Sequence, residues 1–224
     1  MKLQFISDVA CPWCAIGLNS LEMALARIGS DLRAELTFEP FELNPDMPPE
    51  GEDATAHLAR KYGRSAEELA AVRALIRERG AEVGFTFGPR ERIWNTFDAH
   101  RLLHWAGTQG RQRELKHALL VAYHTRGENP GAPDVLARLA SEVGLDAARA
   151  CQILASDEFG RKVRQRAQHW QQLGIHSVPA LIVNDRYLIQ GGQPPDEFER
   201  ALRQISSESS APGREAGQED SAAA

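Results

Sequence analysis

Two cysteines separated by two residues are the clearest chemical feature of this sequence. Cys11 and Cys14 flank Pro12 and Trp13. At a helix start such a pair can close a small disulfide, and the helix N-terminus stabilises a thiolate on the first sulfur. Cys11 is therefore predicted to attack a disulfide, and Cys14 to resolve the mixed disulfide. Pro12 preorganises the turn and Trp13 offers an apolar rim, so both are predicted to contact substrate.

The same spacing could instead supply half of a zinc site. Such a site needs further ligands, and the third cysteine, Cys151, has no neighbouring Cys or His at ligand spacing. His100 and His104 stand four residues apart, but the sequence fixes no third ligand for them. We expect no metal and no bound cofactor beyond the cysteine pair. Cys151 lies in an apolar helical stretch and is expected to be a buried, inert thiol.

The elements around the cysteine pair indicate an α/β fold in which a long helical segment separates two groups of strands. Apolar alternation and helical spacing, interrupted by Gly and Pro, predict this order. The prediction comprises a strand at 2–7, a helix at 12–28, a strand at 34–41, helices within 46–173, a hairpin of strands at 180–183 and 187–190, and a helix at 194–205. Residues 1–45 and 174–205 would form one discontinuous domain, 46–173 an all-helical insertion whose last helix packs back on that domain, and 206–224 a disordered tail.

Composition and charge exclude several classes of protein. The 224 residues are 42% hydrophobic and 25% charged, which is typical of globular chains. A net charge of −5 without a basic cluster argues against nucleic-acid binding. Three cysteines are too few for a secreted disulfide framework, and the N-terminal apolar stretch is too short for a signal peptide. We expect a cytoplasmic protein, a monomer or a homodimer, with no membrane partner.

Four further motifs accompany Cys11-Pro12-Trp13-Cys14, and they are Ser7-Asp8-Val9, Ala15-Ile16-Gly17, Ser177-Val178-Pro179 and Gly191-Gly192-Gln193-Pro194. With these motifs the sequence resembles the DsbA family of thioredoxin-fold proteins, and in particular its FrnE-like branch. The resemblance spans most of the chain and implies a thioredoxin fold interrupted by the helical insertion. It also implies that Pro179 is a cis-proline beside the cysteine pair, with the neighbouring Val178 backbone pairing with substrate. The partners implied are protein, peptide or small-molecule thiols and disulfides.

A second resemblance leaves other functions open. The segment 94–101, Trp-Asn-Thr-Phe-Asp-Ala-His-Arg, is similar to a stretch of glutathione-dependent isomerases such as 2-hydroxychromene-2-carboxylate isomerase. That group implies glutathione as a co-substrate and a cleft role for Asn95 and His100, although it typically has serine where this chain has Cys11. The simpler interpretation is that Asn95 or Thr96 caps a helix. A peptide-binding, chaperone-like module is the remaining alternative.

Overall fold

The central sheet is built from both ends of the chain. A computed structural model describes residues 1–210. The strands are β1 (Lys2–Ser7), β2 (Glu35–Pro40), β3 (Glu52–Asp53), β4 (Arg92–Ile93), β5 (Ala180–Val183) and β6 (Tyr187–Gln190). Strands β1, β2, β5 and β6 form a sheet in the order β2-β1-β5-β6, in which β1 and β2 are parallel and the other pairs antiparallel. Strands β3 and β4 form a separate antiparallel ribbon.

Helices cover both faces of the sheet and fill the chain between β2 and β5. The alternation along β1 sends Leu3 and Phe5 to one face, where they share a core with Phe198 of the last helix. Ile6 faces the opposite side and packs in a cluster with Trp170. The helices are α1 (Pro12–Ile28), α2 (Ala54–Tyr62), α3 (Ala66–Glu82), α4 (Phe97–Thr108), α5 (Gln112–His124), α6 (Pro133–Glu142), α7 (Ala147–Leu154), α8 (Gly160–Gln172) and α9 (Pro195–Ser210).

The loop between β1 and α1 joins two hydrophobic cores. Helices α4 to α7 bury a cluster of their own, which contains Leu102, Leu119 and Ile153. Val9 and Ala10 pack into this cluster, whereas the cysteines that follow them pack into the core shared by the sheet and α1. The position of the cysteine loop therefore depends on both parts of the chain.

The predicted α/β fold with a helical segment between its strands is confirmed, and three details differ from the prediction. The segment expected to be all-helical also contains the β3–β4 ribbon, since two-residue strands are too short to give an apolar alternation. The last helix continues to Ser210, so the expected disordered tail is helical over 206–210, while 211–224 lie outside the described residues. Cys151 is exposed, because α7 buries Ala150 and Ile153 and turns Cys151 outward.

None of the helices within residues 1–210 is both long enough and apolar enough to cross a membrane.

One side chain of the helical segment pairs with the edge of the sheet. Gln112, the first residue of α5, accepts a 3.0 Å hydrogen bond from the Phe38 backbone N–H and donates another of 3.0 Å to the Phe38 carbonyl. The amide thus satisfies both backbone groups of an edge-strand residue. These two bonds fasten α5 to β2.

Replacing Gln112 with Ala should lower the free energy of unfolding by about 1–3 kcal/mol, because two backbone groups of β2 lose their partner. Urea denaturation followed by circular dichroism measures this loss. Gln165→Ala, on the exposed face of α8, is the matched control and should change stability little. Equal losses in the two variants would show that the Gln112 amide does not fasten the sheet edge.

Candidate active site

The cysteine pair sits where strand β1 ends and helix α1 begins. Cys11 is the N-cap residue of α1, with Pro12 in the first turn. The Cys11 carbonyl accepts a 3.1 Å hydrogen bond from the Cys14 N–H, so the two residues form one tight turn. Both are unpaired thiols, 4% and 0% exposed. This is the strand-loop-helix geometry that the sequence predicts for the pair.

The two thiols have opposite electrostatic environments. A hydrogen bond from the Cys14 side chain, opposed by burial and aided by the N–H groups of Cys14 and Trp13, holds the pKa of Cys11 below its ordinary value. Burial, the same hydrogen bond and the charge of Cys11 raise the pKa of Cys14 well above its ordinary value. Cys11 is therefore the thiol that ionises first, and Cys14 stays protonated while it donates to the Cys11 sulfur.

The hairpin that starts at β5 closes the site from the opposite side. The Val178–Pro179 peptide bond is cis, as the family resemblance implies. The Cys11 Sγ lies 3.6 Å from the Val178 carbonyl oxygen. Helix α1 approaches this segment closely because Gly17 has no side chain: a Cβ there would come within 3.1 Å of both Pro179 Cγ and Gly192 Cα. The missing side chain of Gly17 thus lets α1 pack directly against Pro179 and Gly192.

A cleft of about 570 Å³ opens beside Cys11, and we refer to it as the front cleft. Cys11, Pro12, Trp13 and Val178 all line this cleft, whereas the described lining does not include Cys14. Apolar side chains of α2 and α3 form the facing wall, and positive charges lie around it. The apolar wall consists of Leu58, Tyr62, Leu69 and Val72, and the basic residues are Lys61, Arg64 and Arg90. His176 also lines the cleft and is solvent-exposed.

A buried carboxylate anchors the cysteine loop. Asp8 is 0% exposed and accepts hydrogen bonds from the Ala10 N–H at 3.1 Å, the Leu43 N–H at 2.7 Å and the Thr96 hydroxyl at 2.8 Å. Burial favours its protonated form, but interactions with His100 and these N–H groups outweigh burial and lower its pKa. Asp8 is therefore a buried anion that ties the loop to the segment after β2 and to α4.

Asn95 and His100, predicted to contact substrate, do not line the front cleft. The Asn95 side chain accepts from the Phe97 N–H at 2.8 Å and donates to the Met47 carbonyl at 3.1 Å. His100 is 3% exposed, and its Nε2 lies 3.5 Å from the Asp8 carboxylate. Thr96 is the N-cap residue of α4, yet its hydroxyl bonds to Asp8 instead of to the helix. Thr96 and His100 thus support the cysteine loop through Asp8.

Two buried residues on α5 complete the environment of the loop, and neither was predicted from the sequence. Burial and the charge of Arg90 lower the pKa of His124 to about 3. It is a neutral donor at physiological pH, and its Nε2–H bonds to the Val9 carbonyl at 2.8 Å. Lys116 is 0% exposed and interacts electrostatically with Cys14. Its signal in the sequence is a lysine on the same helix face as Leu119, Leu120 and Tyr123.

The four-stranded sheet, the dithiol at the start of α1 and the cis-proline opposite define a thioredoxin-like protein with a redox-type cysteine motif. The chain belongs to the DSBA-like thioredoxin domain family, which matches residues 2–203. The family predicted from the sequence is therefore confirmed.

Solved structures with a similar fold are consistent with membership of this family. A probable DsbA oxidoreductase from Streptomyces coelicolor is 31% identical, with a TM-score of 0.86 over 93% of this chain and 91% of that one. Two more distant proteins share the fold. A 2-hydroxychromene-2-carboxylate isomerase is 13% identical, with a TM-score of 0.70 over 93% and 98% of the two chains. The cytosolic disulfide reductase DsbM from Pseudomonas aeruginosa, solved with glutathione, is 16% identical, with a TM-score of 0.66 over 92% and 100%.

Replacing Asp8 with Asn should lower the pKa of Cys11 further, since the negative charge of Asp8 raises that pKa in the native protein. The same change should destabilise the fold by about 1–3 kcal/mol, because the NH2 group that replaces one carboxylate oxygen cannot accept the hydrogen bonds that this oxygen now accepts. Thiolate absorbance at 240 nm, followed against pH in the reduced protein, measures the shift. Asp157→Asn, at an exposed position, is the control. A Cys11 pKa that stays the same or rises in Asp8→Asn contradicts this electrostatic account.

Proposed function

We propose that the protein exchanges disulfides with protein or small-molecule thiols through the Cys11–Cys14 pair. The observation that carries the proposal is the asymmetry of the two thiols. Cys11 lines the front cleft and has a lowered pKa, whereas Cys14 is enclosed and has a raised pKa. A two-step exchange requires a nucleophile in contact with the cleft and a protected thiol next to that nucleophile.

The reaction follows from this arrangement. The Cys11 thiolate attacks one sulfur of a substrate disulfide, that S–S bond breaks, and the other substrate sulfur leaves as a thiolate. Cys14 then loses its proton and attacks Cys11, forming the Cys11–Cys14 disulfide and releasing the second substrate sulfur. The reverse sequence oxidises a substrate dithiol. Val178 and Pro179 would hold the substrate backbone near Cys11, and Pro12 and Trp13 would contact its side chains.

The front cleft favours substrates with an apolar part and a negative charge. Its wall on α2 and α3 is apolar, and Lys61, Arg64 and Arg90 place positive charge beside it. Glutathione carries two carboxylates, so we propose it as a co-substrate. The glutathione found with DsbM, which shares the fold, supports this assignment. A glutathione-dependent isomerase is the competing function, because the same basic cleft would hold its thiol substrate.

We further propose that the pair works mainly as a reductase or isomerase in a reducing, cytoplasmic compartment. A cytosolic glutathione pool tends to keep such pairs reduced. The cytosolic disulfide reductase DsbM, which shares the fold, supports this assignment. No cofactor beyond the cysteine pair is part of this proposal.

Replacing Cys11 with Ser should reduce insulin-disulfide reduction to the uncatalysed rate, because the attacking thiolate is lost. Cys14→Ser should instead accumulate a covalent mixed disulfide between Cys11 and the substrate, since resolution is lost. Turbidity of reduced insulin measures the first effect, and intact-mass spectrometry detects the second. Cys151→Ser is the matched control and should keep the wild-type rate, since Cys151 lies in a separate surface pocket with Pro133 and Leu154.

Two results would overturn the proposal. Wild-type insulin reduction by Cys11→Ser would show that this thiol is not the nucleophile. Glutathione-dependent isomerase turnover that survives in Cys14→Ser, together with no insulin reduction by the wild type, would establish the competing function.

A further inference from the structure

A second cleft of about 480 Å³ adjoins the front cleft beside the cysteine motif. Pro12, Ile76 and Arg90 line both clefts, so the two meet at these residues. Three arginines line the second cleft, and we refer to it as the arginine cleft. Arg73 and Arg77 belong to α3, and Arg90 to the segment before β4. Positive charge is thus concentrated beside the cysteine motif, in a chain whose net charge is −5.

Hydrogen bonds to other segments hold two of the three arginines in place. Arg90 Nη1 donates to the Ala10 carbonyl at 3.0 Å, and Arg73 Nη2 donates to Thr55 Oγ1 of α2 at 2.7 Å. Both arginines are half-buried. Because a guanidinium has five N–H donors, each of them retains further donors for a ligand. A guanidinium that is already fixed loses less conformational freedom when it binds a carboxylate, so the arginine cleft is prepared for an anion.

The carboxylates of the cleft do not neutralise these arginines. Asp53 and Glu91 also line the arginine cleft. Asp53 caps α2, where its Oδ1 accepts from the Ala56 N–H at 2.8 Å. Within residues 1–210, neither carboxylate forms an ion pair with an arginine of the cleft, and the exposed Arg77 has no hydrogen bond or ion pair. The guanidinium groups therefore remain open to a carboxylate from another molecule.

The segment that carries Arg90 is packed firmly against the end of α5. The Phe87 ring lies 4.7 Å from the Phe85 ring and 5.6 Å from the His124 ring, measured between centroids. The Gly88 N–H donates to the His124 carbonyl at 2.8 Å. A Cβ at Gly88 would lie 2.2 Å from the Thr125 carbonyl oxygen, so a side chain would force the segment away from α5. The arginine cleft thus has a preformed apolar wall next to its positive charges.

We propose that the arginine cleft binds an acidic segment of a polypeptide whose disulfide is attacked by Cys11. This inference rests on the proposed exchange function and names a substrate class for it. Each cleft has a volume in the range of about 300–1,000 Å³ that encloses a small ligand, so a substrate that occupies both is longer than a small thiol. An extended polypeptide that crosses Pro12 meets this requirement. Its carboxylates accept paired hydrogen bonds from the arginines, and its apolar side chains pack on Ile76 and Phe87.

Peptide disulfides that differ only in charge test the proposal. Each peptide carries one cysteine in a mixed disulfide with the neutral 2-thiopyridyl group, and either three glutamates or three glutamines beside that cysteine. The reduced protein forms the Cys11–Cys14 disulfide and releases the peptide thiol and pyridine-2-thione, whose absorbance gives the rate. Rates are divided by those of 2-mercaptoethanol with the same peptide. Wild type should react about tenfold faster with the glutamate peptide at low ionic strength, and salt should reduce this preference.

Charge-removing variants locate the preference. Arg73→Gln combined with Arg77→Gln should lower it to about twofold or less, because two of the three binding guanidinium groups are lost. The rate with the glutamine peptide should stay within about twofold of wild type, which shows that the cysteine pair is intact. Arg79→Gln is the matched control. It removes the same charge from α3 outside the cleft, where Arg79 pairs with Glu82, and should keep the preference.

Three results would contradict binding at the arginine cleft. They are equal corrected rates for the two peptides in the wild type, a preference that survives in the double variant, and a loss in Arg79→Gln as large as that in the double variant. The last result would show that the overall charge of the protein attracts the peptide. Failure of the wild type to reduce either peptide would instead contradict the exchange function itself.

Discussion

The buried carboxylate of Asp8 fixes the cysteine loop against two other parts of the chain. It holds the loop through the Ala10 N–H, the segment after β2 through the Leu43 N–H, and α4 through the Thr96 hydroxyl. Each bond compensates part of the cost of burying the charge. Without this anchor, the turn that places Cys11 at the start of α1 and beside the Val178 carbonyl would lose its hydrogen-bonded link to Leu43 and Thr96.

The negative charge of Asp8 also disfavours ionisation of Cys11, the residue that Asp8 helps to position. Its charge raises the pKa of Cys11, and the hydrogen bond from Cys14 together with the N–H groups at the start of α1 outweighs that effect. His124 supports the loop at Val9 as a neutral donor, so it adds no positive charge beside the thiols. The site therefore combines an anion needed for structure with local donors needed for reactivity.

Local patterns were sufficient to predict the strands of the sheet, the helix after the cysteines and the attacking role proposed for Cys11. They could not reveal which residues support the loop, because Asp8, Thr96 and His124 are brought together by contacts between segments far apart in sequence. The prediction that Cys151 is buried was wrong for a related reason. An apolar stretch indicates a helix, but its buried face depends on the neighbouring helix. The β3–β4 ribbon is likewise specified by pairing between two short segments that α2 and α3 separate in the sequence.

The central claim is that Cys11 ionises well before Cys14. It is tested most directly by alkylating the fully reduced wild-type protein with iodoacetamide over a range of pH and locating the label by peptide mass spectrometry. Cys11 should be labelled with a midpoint below the ordinary thiol pKa of about 8.5, while Cys14 remains unlabelled at the same pH. Equal labelling of the two cysteines, or a Cys11 midpoint at the ordinary thiol value, would contradict the account.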